Sequence, residues 1–438
     1  MPEIKKRLYV KDEFYERYTG TFKTDKRLSV HKIENGILFP MVPSIVNQLS
    51  VCYGIYDENR CFCPASAMME GMSLPYPEEE KRKTAQYSDQ SVIYGGVAYF
   101  HLYGHFLMES TARLWFVLQN PDDKRPIVFI PVGKPDRYLE FFDLLGIERE
   151  RLLFIERSMC FKEITVPEMS SRLGEFYTEE FMLPFRKAAA NVPAAKYKKV
   201  YLTRRRLEFG NTCDEEVLEK LFKKNGYKVI SPERLSVKEQ ISLMKGAKSV
   251  VSLLSSATHN VLFCEKGTEC VILNRSETVN KAQIIVNQAI EADWYYVDAY
   301  YDCFPVLYGS GPFFVGMTSY VNSFCKDKNM KIPSKKNVPD AQKFIKKWIL
   351  TYGGSERAFQ RFKTEFSGQK LFSYAGLNFL SRSLLYKTNF MKCLKLYCHL
   401  FRARLNARFG FGGIKQKYSA KVTELNQKLE KMRKETEF

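Results

Sequence analysis

The 438-residue sequence has no Cys-x-x-Cys pair, no Gly-x-Gly-x-x-Gly and no Gly-x-x-x-x-Gly-Lys-Ser/Thr. These gaps exclude the usual redox or zinc dithiol, the dinucleotide fingerprint and the P-loop. No apolar run approaches the roughly 18 residues of a membrane span. The opening MPEIKKRLYVKDEFYERY lacks the apolar core of a signal peptide. The eleven cysteines are odd in number and scattered, Cys61 and Cys63 being the closest pair. That pattern predicts reduced thiols in the cytoplasm. There is no internal repeat and no long low-complexity tract.

What is present begins with charge. The net charge is +19, which calls for an anionic partner such as a nucleic acid, a membrane surface or a phosphorylated substrate. Between residues 382 and 408 stand Arg382, Lys387, Lys392, Lys395, Arg402, Arg404 and Arg408, with no Asp or Glu. Leu384, Met391, Leu394, Cys398, Phe401 and Leu405 form an apolar helical stripe among them. A basic amphipathic helix of this kind suits an anionic membrane surface or packing on the protein itself. Nucleic acid is set aside because no recognition motif accompanies the charge. After GFGG at 410 to 413, Tyr418, Val422, Leu425, Leu429 and Met432 follow heptad spacing, so 418–432 is a candidate self-association segment.

Length and pattern predict two α/β domains and a tail. SVIYGGVAYF, PIVFIPV and RLLFIE read as strands with helices between them, which predicts a parallel sheet. NVPAAKYKK reads as a linker. KVYLTRR, YKVISP, KSVVSLL, ECVILN and WYYVDAY then alternate with helical segments as a doubly wound domain. The expected divisions are an acceptor-side α/β domain over 1–190 and a donor-binding α/β domain over 191–335. A helical return segment over 336–381 and the basic tail over 382–438 follow. Thr212 is expected to cap the helix that follows it, with Glu215 closing a capping box, and Ser236 with Glu239 to do the same for the next.

The chemistry-bearing segment is GHFLMESTARLW, residues 104 to 115, at the end of a predicted strand. His105 and Glu109 are four residues apart, on one face of a helix. YLTRRR (201–206) puts guanidinium groups at a strand's carboxyl end, where they can clamp a phosphate. Strand alternation would turn Arg204 and Arg206 one way and Arg205 the other. In SLLSSATHN (252–260), small residues precede a helix start, so Ser255, Ser256, His259 and Asn260 can meet phosphate or sugar. The alternative for His259 and Asn260 is helix capping.

Together these segments, with LSVKEQISLMKGAKSVVSLLSSATHNVLF and Gly267, resemble glycosyltransferase family 61 in its bacterial capsule and surface-polysaccharide branch, over about 90 to 300. The resemblance implies a GT-B-like fold, with two Rossmann-like domains facing a cleft. It further implies inverting transfer from a nucleotide-sugar donor to a glycan or lipid-linked acceptor. One departure is Leu254, in a loop where many relatives carry His-Gly-Ala-Gly or Glu-Gly-Ser. It raises a second reading, a catalytically impaired membrane scaffold of the same pathway.

Transfer needs a base for the acceptor hydroxyl and positive charge for the leaving diphosphate. No Asp-x-Asp occurs in the chain, so arginines and helix N-termini, rather than a metal or other cofactor, are expected to supply the charge. Glu109 is preferred as the base by analogy with the matching acidic position in relatives, and His105 then orients acceptor or base. His101 is a third, more structural candidate. Arg113 either holds Glu109 ionised or forms a surface ion pair. The expected location is cytoplasmic, peripheral on the inner face of the membrane through 382–409.

Overall fold

The computed structural model describes residues 2–43, 51–67, 85–136, 138–207, 212–307, 310–333, 339–366, 374–385, 396, 399–400, 403 and 413–434. The chain divides into two compact units. The first comprises Met1–Arg206, Glu216–Ala299 and Met317–Lys335. The second comprises Leu207–Glu215, Tyr300–Gly316 and Lys336–Phe438.

The first unit holds two six-stranded sheets. Its strands are β1 (Leu8–Tyr9), β2 (Val30–Pro43), β3 (Val51–Tyr56), β4 (Gln86–Tyr99), β5 (Ile127–Val132), β6 (Leu152–Phe154) and β7 (Met159–Pro167). They continue with β8 (Lys199–Leu202), β9 (Lys228–Ile230), β10 (Ser249–Leu253), β11 (Glu269–Asn274) and β12 (Asp293–Asp298).

One sheet has the order β3-β2-β7-β4-β5-β6. It is mixed rather than parallel throughout. β2 runs antiparallel to β3 and β7, while β4, β5, β6 and β7 pair in parallel. β4 carries a bulge at Gly95 and Gly96. Gly96 has φ of 102°, and a Cβ there would stand 3.0 Å from the Arg113 guanidinium. Only glycine meets both demands without strain.

The other sheet, β1-β12-β11-β10-β8-β9, is wholly parallel. Each of its strands from β8 onward falls in a segment read as a strand from sequence, because buried parallel strands are near-continuous apolar runs set between helices. β1 was not foreseen there. Leu8 and Tyr9 pair with Tyr296 and Val297 at the sheet edge. The 310 helix Asp12–Tyr18 behind them buries Phe14 and Tyr18.

The two sheets share one hydrophobic cluster. Ile93, Phe129 and Leu152 from the first belong to it with Val200, Val250 and Cys270 from the second. The segment read as a linker is fixed rather than loose. The Ala195 N–H donates to Ser242 O at 2.8 Å, and Lys245 Nζ reaches the carbonyls of Ala189 and Val192 at 2.7 and 2.8 Å. Ser236 and Glu239 form the expected capping box. Thr212 does not cap: the helix begins at Glu215, and Thr212 Oγ1 donates to the Glu215 carboxylate at 2.6 Å.

The second unit is mainly helical, with Ala341–Gly353, Glu356–Glu365, Tyr374–Leu385 and Gly413–Lys434 around a cluster of Phe344, Trp348, Tyr352, Phe359, Phe362 and Leu377. Val422 and Leu425, two of the heptad residues, pack on this cluster. So do Leu384, Leu400 and Ala403. The remaining stripe residues and the seven basic side chains of 382–408 lie outside the described residues. Among the described residues no helix is long and apolar enough to cross a membrane.

Candidate active site

In each sheet the strand order reverses once. In the first, β4 connects to β5 on one side while β7 lies on its other side. In the second, β8 connects to β9 on one side while β10 lies on the other. Open parallel sheets bind ligands outside the carboxyl ends of strands at such a reversal. GHFLMES follows the carboxyl end of β4. TRRR and SSATHN follow the paired ends of β8 and β10, where Leu202 stands opposite Ser252. The three motifs thus arise at the two reversal points.

After β4 the chain turns through His101 and Leu102 into a short helix, Tyr103–His105, and then a π-helical turn, Phe106–Ser110. A π turn frees carbonyls from regular partners and is a frequent mark of functional sites. Here hydroxyls take them: Thr111 Oγ1 donates to Leu107 O at 2.7 Å, and Ser171 Oγ to Met108 O at 3.0 Å. The turn directs Glu109 inward, where its Oε2 is hydrogen-bonded to His105 Nδ1. That bond raises the His105 pKa above its ordinary value, against the opposing effect of burial. The His105 side chain is 45% exposed and that of Glu109 only 9%. The Tyr99 ring lies 5.1 Å from the imidazole.

Arg113 is buried, which overturns the surface ion-pair reading. Its guanidinium donates to the carbonyls of Pro167, Ala65 and Ala67 at 3.0, 2.6 and 3.3 Å and lies over the Tyr94 ring. It anchors the start of Leu114–Gln119 to the end of β7. His101 is exposed, and its Nδ1 is 3.0 Å from Val132 O.

On the second sheet, β10 runs into the 310 helix Ser256–Phe263. Ser255 is its N-cap and accepts from the Ala257 N–H at 3.3 Å, so His259 and Asn260 are interior residues and not caps. Ser256 is exposed beside them. His259 is buried, and burial lowers its pKa to about 4 against the opposing effect of the Gly104 backbone. Asn260 is buried between Tyr103, whose hydroxyl donates to its Oδ1 at 2.6 Å, and Gln240, which accepts from its Nδ2 at 2.9 Å. Leu254 turns away into a cluster with Leu8, Phe14, Tyr18 and Ile272.

β8 stops at Leu202, so strand alternation does not extend through the arginines. Arg204 is half-buried. Arg205 is exposed but lies 3.5 and 3.4 Å from the carboxylates of Glu216 and Glu219. Arg206 is exposed and makes no ion pair among the described residues.

The two halves meet at Gly104. A Cβ on it would lie 3.1 Å from both His259 Nδ1 and Ser256 Oγ. The His105–Glu109 pair is thereby seated against the turn that follows β10.

Residues 103–271 match the family model described as glycosyltransferase 61. Over this span the chain is similar to glycosyltransferase family 61. No curated protein matches the chain. The matched span opens at Tyr103 and takes in GHFLMES, TRRR and SSATHN. Of the residues expected in the site, His105, Glu109, Ser256, His259 and Asn260 are brought together. Arg204 and Arg206 follow the strand paired with β10. Sequence reading missed Tyr103 and Gln240. Tyr103 stood two residues before His105, and its partnership with Asn260 spans 157 positions of sequence.

Proposed function

We propose that this glycosyltransferase is inverting and metal-independent. In this reading it moves a sugar from a nucleotide-sugar donor to a glycan or lipid-linked glycan in surface-polysaccharide synthesis. The two sheets act as the Rossmann-like halves of a GT-B fold. The observation that carries the reading is the seating of the His105–Glu109 pair, through Gly104, against the crevice at the β8/β10 reversal. A proton acceptor and a phosphate-binding crevice are then adjacent.

Exposure favours His105 over Glu109 as the base. Glu109 is enclosed and bonded to Nδ1, whereas His105 is the accessible member. His105 Nε2 takes the proton from the acceptor hydroxyl as that oxygen attacks the anomeric carbon. Glu109 fixes the tautomer and stabilises the imidazolium, the division of labour of a carboxylate–histidine pair. The bond from the anomeric carbon to the diphosphate breaks, and Arg204 and Arg206 take up the charge that leaves. Leu254 fills a core and does not obstruct the crevice.

The test is the pH profile of transfer in Glu109→Gln. A base must be deprotonated to act, so wild-type kcat rises with pH through the raised His105 value. Removing the carboxylate lowers that value, so the acidic limb moves to lower pH while the plateau falls about a hundredfold to ten-thousandfold. An unmoved limb returns the base role to Glu109 or elsewhere. Transfer is expected to survive EDTA, and strict metal dependence would overturn that part.

A further inference from the structure

We infer that Tyr103 is a positioning residue, which holds the proton-accepting half of the site in register with the crevice half through a neutral relay. This rests on the reading above. The Tyr103 hydroxyl donates to Asn260 Oδ1 at 2.6 Å, Asn260 Nδ2 donates to Gln240 Oε1 at 2.9 Å, and Gln240 Nε2 donates to Leu235 O at 3.2 Å. Asn260 and Gln240 are buried, and the Tyr138 ring packs 5.3 Å from that of Tyr103. The relay starts two residues before His105 and ends on the helix Val237–Gly246, so it crosses from the first sheet's reversal point to a helix of the second.

Each atom in the relay has one role. Asn260 accepts with its oxygen and donates with its nitrogen, so its amide orientation is set from both sides. A buried relay with its members satisfied fixes a unique geometry, and no member carries a charge to be screened by salt. Gly104, the next residue, touches His259 and Ser256 closely. A small rotation of Tyr103–His105 would therefore open that contact and withdraw the imidazole from the crevice. Misplacement of about 1 Å at a reacting group is enough to cost about a hundredfold in rate. The arginines proposed to meet the donor follow β8 and are not members of the relay, so binding and chemistry should separate on removal of the Tyr103 hydroxyl.

The experiment compares wild type, Tyr103→Phe, Asn260→Ala and the double variant. It measures kcat and donor KM for transfer, and amide hydrogen exchange over 103–110. Tyr103→Phe is expected to lower kcat tenfold or more with donor KM within twofold, and Asn260→Ala to lower kcat at least as far. The double variant is expected to be no slower than the worse single, and exchange over 103–110 to accelerate in all three. Multiplying losses, a change confined to KM, or kcat untouched by Tyr103→Phe overturns the inference. If the wild-type protein transfers no sugar, the proposed function fails. Exchange then decides the relay alone, and protection unchanged in Tyr103→Phe refutes it.

Discussion

Gly104 stands where a side chain would be tight against His259 and Ser256, yet its backbone is an ordinary helical one. Close approach alone explains the residue. Gly104→Ala is expected to push apart the two halves of the site, lowering stability by about 1 to 3 kcal/mol, as overpacking does. Transfer activity should fall more than the unfolded fraction accounts for. Urea unfolding and kcat on one preparation check this, and wild-type kcat in the variant would show that the contact is incidental. His259 makes a second residue-level prediction. Its pKa is about 4 in the folded chain and ordinary in the unfolded chain. Below pH 6.5 the unfolded state takes a proton that the folded state still refuses, so stability falls as pH drops from about 6.5 towards 4. The His259 share of that loss is about 2 kcal/mol between pH 7.5 and 5. His259→Asn should lose less stability than wild type over that interval, and equal losses would mean that the ring is already protonated when folded. His105 acts in the opposite sense. Its raised pKa gives stability below pH 6.5 that fades as pH rises through the folded value.

At the scale of elements, the arginine turn after β8 is the place to separate charge from geometry. Arg205 is held by Glu216 and Glu219, and Thr203 Oγ1 donates to Glu219 at 2.5 Å while accepting from the Arg205 N–H at 3.2 Å. Arg204→Ala and Arg206→Ala should each weaken donor binding by about 1.5 to 3 kcal/mol, and Arg205→Ala by less. Calorimetric titration of nucleotide sugar checks the order, and equal affinity in all three rejects the clamp. The sequence suggested this ranking for a reason that failed, because alternation ends with the strand at Leu202. What sequence made legible was β4 to β6 and β8 to β12, whose apolar runs alternate with helices, the alternating runs NGILFPMVP and SVCYGIYD that fall at β2 and β3, and the His105–Glu109 spacing. What it hid lay in long-range pairing and in backbone exceptions. β1 is two residues long and has no period to read. Asp214, at φ of 67°, displaces the helix start that Thr212 was expected to cap. Nothing local joins Tyr103 to Asn260.

Across the whole molecule, the N-terminal segment is part of the second sheet's core. Phe14 and Tyr18 cover Leu254, Ile272, Ile284 and Tyr296. Arg7 pairs with Asp293, and the Lys11 N–H donates to Asp298 at 3.0 Å. Phe14→Ala should therefore cost about 3 to 5 kcal/mol, as for a buried core aromatic, with the denaturant slope unchanged. A loss below about 1 kcal/mol would show that the segment merely lies on the surface. The parallel pairing of Leu8 with Tyr296 also bears on the order in which the protein is made. The ribosome releases Leu8 long before Tyr296, so the first strand has no partner for most of synthesis, and the apolar edge it covers is open until then. Pairing over such a separation is slow, and chains waiting for it are prone to aggregate. A tag or fusion partner placed ahead of Leu8 would thus act on the last step of assembly and not on the first.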